Sequence, residues 1–239
     1  MIVLGLTGSI GMGKTTAATM LRRMGVPVHD SDAAVHRAMA PGGGAVGPID
    51  AAFGDVVRDG AIDRRRLGAI VFEDAAALKR LEAILHPLVA EESNRFLAIQ
   101  ARHGRAVTAL DIPLLLETGQ QDRVDSVVVV SAPAFIQRIR VLARPGMTCS
   151  RLEKVLARQM PDPEKRRLAD RVVPTGLGRI ETWRHLAAIV RAARADAAEG
   201  GMAGRRPAWP PRAWPRSSTA PCSIWLRSSR CSHPIPHDQ

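Results

Sequence analysis

The chain predicts an α/β fold in which a five-stranded parallel sheet is flanked by helices and interrupted by two insertions. Three features carry that expectation. Short apolar runs alternate with helix-forming stretches through residues 1–199, the pattern of strands joined by crossover helices. Gly8-Ser9-Ile10-Gly11-Met12-Gly13-Lys14-Thr15 spells G-x-x-x-x-G-K-[ST] between an apolar run and a helix, which is the context a phosphate-cradling loop needs. Finally, residues 31–104, about 70 in number, exceed what one crossover requires and should form a subdomain of their own.

The elements follow in order. Ile2–Thr7 is a short apolar run that reads as a buried strand. After the loop, Ala17, Met20, Leu21 and Met24 recur at helical spacing. Val26–His29 is the second strand. The 31–104 stretch reads mainly as helix, with a turn at Asp59-Gly60 and Asp63 as a helix N-cap. Within it one helix, Ala75–Leu85, is expected to stop at His86-Pro87, because a residue before proline disfavours the α region; a second runs Leu88–Arg102. Ala106–Asp111 and Ser126–Val130 are strands apolar enough to be buried on both faces. An Arg- and Lys-rich insertion at 144–168 precedes the last strand, Arg171–Val173. The core is therefore expected from 1–30, 105–143 and 169–199.

Composition narrows the function classes. The net charge is +11, of which the tail from Gly200 supplies +5 through six arginines against Asp238. That tail also holds seven of 17 prolines and three of four tryptophans, with neither a strand nor a helix period. Residues 200–239 are expected to be disordered and without catalytic role, with the composition of a reading-frame shift in a GC-rich gene. The remaining +6 suits polyanionic substrates. No aromatic platform interleaves with the basic residues, so a nucleic-acid partner is not expected. Three cysteines lack metal-ligand spacing, which argues against disulfides and zinc. A core strand opens the chain and no run of about 18 apolar residues occurs, so a cytoplasmic protein is expected.

Ligands of open parallel sheets gather beyond the carboxyl ends of the strands. The loop glycines turn backbone N–H groups inward and the helix N-terminus adds a favourable dipole. Lys14 can reach the β- and γ-phosphates of a nucleoside triphosphate, and the Thr15 hydroxyl can ligate Mg²⁺. Asp30-Ser31-Asp32 follows the second strand and Asp111 ends the third. Asp32 is the candidate base for an attacking hydroxyl and Asp111 the candidate magnesium carboxylate; Asp30 could equally cap the next helix. Glu117 is either functional or a solvated helix residue. Of Arg138, Arg140, Arg144, Arg151, Arg158, Arg166 and Arg167, two or three are expected to meet phosphate, since bidentate guanidinium suits a transferring phosphoryl group. His86 suits a structural or acceptor-binding role better than catalysis.

Taken together these segments resemble the dephospho-coenzyme A kinase family. The resemblance covers about 1–198 and rests on Leu6-Thr7-Gly8 through Lys14-Thr15-Thr16, Asp30-Ser31-Asp32, Phe53-Gly54, Asp59 to Arg64 and Leu81 to Leu88. It continues through Asp111-Ile112-Pro113-Leu114-Leu115-Leu116-Glu117, Arg140 to Arg144, Arg158-Gln159 and Ala169 to Val173. It implies a P-loop kinase-like fold and ATP-dependent phosphorylation of the ribose 3′-hydroxyl of dephospho-coenzyme A, with Mg²⁺ as cofactor. By position, Gly8, Gly11, Met12, Gly13, Lys14, Thr15, Thr16 and Thr175 would hold ATP, Asp32, Lys14, Arg140 and Arg144 would serve transfer, and Thr15 and Asp111 would hold the metal. His86 and Leu114 would meet the acceptor, 31–104 would bind its coenzyme A portion, and 144–168 would be a lid. Pro174-Thr175-Gly176 replaces the Asn common in the family. The expected partners are ATP and dephospho-coenzyme A, with no nucleic acid or membrane, in a monomer or weak homo-oligomer. Another small-molecule kinase, of nucleotides or shikimate, is the nearest alternative, and a nucleic-acid-associated ATPase a more distant one. A GTPase is unlike this chain, which has no Asn-Lys-x-Asp.

Overall fold

Every residue of Ile2–Thr7 is buried, and these six form β1. Their side chains alternate between two apolar clusters, as a period of two demands. Leu4 and Leu6 join Leu21, Val128, Val130 and Leu186 on one face of a sheet, while Val3 joins Leu110, Leu115, Val127 and Val129 on the other. A parallel sheet covered on both faces results. The computed structural model describes residues 1–203, which divide into two units. The larger holds residues 1–34 and those from 89 onward; the smaller holds 35–88.

In the larger unit β1 leads through the glycine loop into α1 (Lys14–Arg23), then β2 (Val28–Asp30) and the start of α2 (Ser31–Ala38). The smaller unit contains the rest of α2, α3 (Val46–Phe53), a hairpin of β3 (Val57–Arg58) and β4 (Ala61–Ile62), α4 (Arg64–Glu73) and the first half of α5 (Ala75–Arg102). The larger unit resumes in α5 and continues through β5 (Val107–Asp111), β6 (Ser126–Ser131), α6 (Ala134–Leu142), α7 (Cys149–Leu156), α8 (Asp162–Leu168), β7 (Arg171–Pro174) and α9 (Arg179–Ala203). The sheet order is β2-β5-β1-β6-β7 and every pairing is parallel. The five expected strands are thus present.

Three local expectations change. Helix α5 does not stop at His86-Pro87; it is continuous for 28 residues with Pro87 inside. Proline removes one N–H, orphaning the carbonyl of Ala83, and both Ala83 and Pro87 are exposed. Water can satisfy that carbonyl, so the break costs one hydrogen bond rather than the helix. The 31–104 stretch is mainly helical, as expected, and the turn expected at Asp59-Gly60 is present. Asp59 and Gly60 both have positive φ, 50° and 74°, the geometry of the tight turn that closes β3 and β4. Asp63 caps α4 as expected, accepting from the N–H groups of Arg65 and Arg66, and these bonds hold its carboxyl below the ordinary range. Last, β2 ends on Asp30 rather than His29, and α9 runs past the anticipated break at Gly200 to Ala203. The rest of the 200–239 tail lies outside the described residues.

Candidate active site

The loop Gly8–Thr15 leaves β1 at the centre of the sheet, where strand order reverses between β5 on one side and β6 on the other. Two of its glycines have no substitute. Gly11 has φ +77° and a Cβ there would lie 2.5 Å from Val141 Cγ2; Gly13 has φ +89°. The loop is gripped by side chains from α6 and from the segments that follow β7 and α7. Gln137 Nε2 of α6 donates to the Ile10 carbonyl at 2.8 Å, and Arg140 Nη1 to that of Gly11 at 3.4 Å. Thr175, just past β7, donates its hydroxyl to the Met12 carbonyl at 2.6 Å. Gln159, between α7 and α8, accepts the Ile10 N–H at 3.0 Å.

Acids line the other side of Lys14. Because β2 and β5 are neighbours, Asp30 stands in register with Asp111. Lys14 Nζ lies 2.5 Å from Asp111 Oδ1, whose side chain is 3% exposed. Burial raises the Asp111 carboxyl above its ordinary value although Lys14 pulls it down. Asp30 Oδ1 accepts the Ala33 N–H at 3.0 Å, so it takes the capping role that competed with a functional one. Asp32, in the first turn of α2, is pushed up to about 6. Burial is the main cause; Lys14 lowers it, and Asp30 and Asp111 add to the rise. Three carboxylates and one ammonium thus share a field at the loop.

The other anticipated residues sort less evenly. Thr15 and Thr16 are exposed in the first turn of α1, where helical geometry leaves N–H groups over. Met12 contributes more than backbone: it is buried and its sulfur accepts the Ala132 N–H at 3.1 Å. Arg140 grips Thr175 Oγ1 at 3.1 Å and the Thr175 carbonyl at 2.7 Å, so in this state it braces the loop instead of reaching for phosphate. Thr175 itself is buried with its hydroxyl engaged inside the protein. Arg144 is exposed beyond α6. Leu114, 1% exposed, is packed in the core and offers no side chain to an acceptor. His86 is exposed in the smaller unit.

Glu117 is not a solvated helix residue. It is buried, 2.7 Å from the fully buried Lys165 of α8, and accepts the Met160 N–H at 3.1 Å. Ser131 also donates to Asp162 at 2.7 Å. The 161–168 half of the anticipated lid is therefore tied to the sheet. Lys165→Met should leave Glu117 buried and unpaired, and we expect it to cost about 3–5 kcal/mol in denaturant unfolding; a loss under about 1 kcal/mol would show that the ion pair does not hold α8. Lys165 and the two gripping glutamines were missed as functional candidates. For Gln137 a signal existed: it lies one turn from Val141 on the inward face of α6, an apolar position carrying an amide. Gln159 belongs to the Arg158-Gln159 pair that carries part of the resemblance, but nothing local ties it to a loop 149 residues away.

Similarity to known proteins extends over most of the chain. A family model described as dephospho-CoA kinase matches residues 2–177. The chain is 65% identical over 166 residues to the dephospho-CoA kinase of Paramagnetospirillum magneticum, covering 70% of this chain and 78% of that protein. It is 60% identical over 178 residues to that of Mesorhizobium japonicum, covering 74% and 89%. A solved protein from Thermus thermophilus superimposes with a TM-score of 0.70 at 36% identity, over 80% of this chain and 96% of its own. The dephospho-CoA kinase structure from Campylobacter jejuni, at 21% identity and a TM-score of 0.55, shares the fold over 80% of this chain and 96% of its own.

Proposed function

The chain belongs to the dephospho-CoA kinase family, so it phosphorylates the ribose 3′-hydroxyl of dephospho-CoA with ATP, and we propose that Asp32, Lys14 and Thr15 divide the chemistry of that transfer. The observation that carries this division is the convergence of Asp32, Asp30 and Asp111 on Lys14 at the end of the phosphate loop. Asp32 accepts the proton of the attacking 3′-hydroxyl. A carboxyl near pH 6 is ionised at neutral pH yet basic enough to draw the proton as the bond forms. Lys14 exchanges Asp111 for the β- and γ-phosphates, and the loop N–H groups take the remaining oxygens.

The donors around the loop fit Mg²⁺. They are hard oxygens, the Thr15 hydroxyl and the carboxylate of Asp111, which suits an ion held by one or two protein groups plus phosphates and water. Among the described residues no group of three or more His, Cys, Asp or Glu could hold a metal by itself; the phosphates of the nucleotide would complete the coordination. The ion would neutralise phosphate charge. The arginine-bearing arm 144–158 acts as the lid, with Arg144 approaching phosphate on closure, while 161–168 stays with the core. The 31–104 insertion holds the coenzyme A portion, with His86 exposed for it. Among the described residues no helix is long and apolar enough to cross a membrane.

Incubating the full chain with ATP–Mg²⁺ and a panel of acceptors tests the activity. We expect dephospho-CoA to stimulate ADP release far above water or shikimate. Equal release with all three would overturn the assignment.

A further inference from the structure

Three consecutive loop carbonyls, those of Ile10, Gly11 and Met12, each accept a hydrogen bond from a side chain: Gln137, Arg140 and Thr175 in turn. In a planar trans peptide the carbonyl of one residue and the N–H of the next point in opposite directions. Drawing these three oxygens into the protein therefore turns the N–H groups of Gly11, Met12 and Gly13 the other way. That of Met12 closes a turn on the Ser9 carbonyl at 3.2 Å. For Gly11 and Gly13, next to the first turn of α1, that orientation is the one an anion nest requires. Ile10 is held at both ends, since Gln159 also accepts its N–H.

We propose that Gln137 and Gln159 are positioning residues for phosphoryl transfer, which preorganise the loop N–H groups by clamping Ile10 from opposite sides. The two amides are buried, 7% and 8% exposed, so each bond forms away from competing water. Their partners fix their orientation: the carbonyl of Ile10 requires the Gln137 NH₂, and its N–H requires the Gln159 oxygen. Gln159 is held in turn, because its neighbour Met160 donates to Glu117, which Lys165 pairs. It also closes the last turn of α7, donating its N–H to the Leu156 carbonyl at 3.0 Å. The arm that carries Arg151 and Arg158 thus ends on a residue that grips the phosphate loop. The proposal rests on the loop being the ATP site, and not on the identity of the acceptor.

The test uses the opposite polarity of the two bonds. Gln137→Glu and Gln159→Glu each add one negative charge beside the same residue at nearly constant volume. The first replaces a donor by an acceptor facing a carbonyl; the second keeps an oxygen facing an N–H. Binding of a non-hydrolysable ATP analogue and of inorganic tripolyphosphate to the full chain is measured without acceptor, so failure here is distinguishable from failure of the dephospho-CoA assignment. Gln137→Glu should bind both ligands at least about tenfold more weakly than Gln159→Glu. Gln137→Met and Gln159→Met, which carry no added charge, should each weaken both ligands by about 3- to 10-fold. Steady-state KM for dephospho-CoA should stay within about twofold in both Met variants, a split that general destabilisation would not produce. Equal affinities of the two Glu variants would overturn the proposal, as would Met variants that bind like wild type. A parallel rise in both KM values would assign the glutamines a purely structural role and overturn it too.

Discussion

Asp32→Asn is expected to keep ATP affinity within about twofold and to lower kcat by roughly 10² or more, as removal of a general base should. The asparagine retains the shape and can still accept a hydrogen bond from the acceptor hydroxyl, but it cannot take a proton. Wild-type kcat/KM should fall as the pH drops below about 6, where Asp32 becomes protonated, and the Asn variant should lack that limb. Near-normal turnover by the variant would remove Asp32 from the role of base.

The same substitution has a stability consequence of opposite sign. The Asp32 carboxyl sits at about 6 in the folded chain against an ordinary 3.8, chiefly because burial disfavours its charge. Between those values the folded state binds more protons than the unfolded one, so stability falls as pH rises through that window. Above about 6 the penalty is complete, about 3 kcal/mol at 1.36 kcal/mol per pH unit. Asp32→Asn should therefore raise Tm at pH 8 and change it little at pH 4. A variant less stable than wild type at pH 8 would contradict a carboxylate whose charge desolvation disfavours. A more stable variant would mean that function is maintained against stability, as expected of a catalytic group.

Lys14→Ala is expected to lower kcat/KM by roughly 10²–10³, the scale of losing one preorganised cationic or donor group. ATP affinity should weaken as well, because the lysine meets phosphates in the ground state and during transfer. It should also destabilise the chain near neutral pH, since Asp111 would remain buried at 3% exposure without the ammonium 2.5 Å away. The double variant Lys14→Ala with Asp111→Asn removes the stranded charge. It should recover Tm and not activity. Recovery of both would place Lys14 in folding rather than catalysis, and unchanged kinetics of the single variant would contradict the loop assignment.

The candidate site was legible in the sequence wherever its chemistry is local. Loop spacing, the acids after each strand and the Asp63 cap are patterns within a few residues, and the structure places them at the corresponding turns. Helix α5 shows where local rules mislead. Pro87 reads as a break, but the orphaned carbonyl is on the exposed face and the helix survives. Arg140, Thr175 and Gln159 show the reverse. Their bonds to Gly11, Met12 and Ile10 span 129, 163 and 149 residues, and nothing in the neighbourhood of each residue announces them. Glu117 belongs here as well: its partner Lys165 lies on a helix read as a mobile lid.

By itself the sequence determined that β1, the glycine loop and α1 form a phosphate cradle, and that five apolar runs form a parallel sheet. Backbone sterics at Gly11 and Gly13 and the period of buried side chains act over a few residues, so they are written locally. Only the tertiary structure decided that β5 inserts between β2 and β1. Strand neighbours are chosen by non-local hydrogen bonding and by the burial of both sheet faces, not by order along the chain. That choice sets Asp30 beside Asp111, which Lys14 pairs, and the half-buried Asp32 feels all three. The residue types are legible one at a time; the raised carboxyl and the gripped loop arise from what surrounds them, because desolvation and hydrogen-bond direction depend on the packed neighbours.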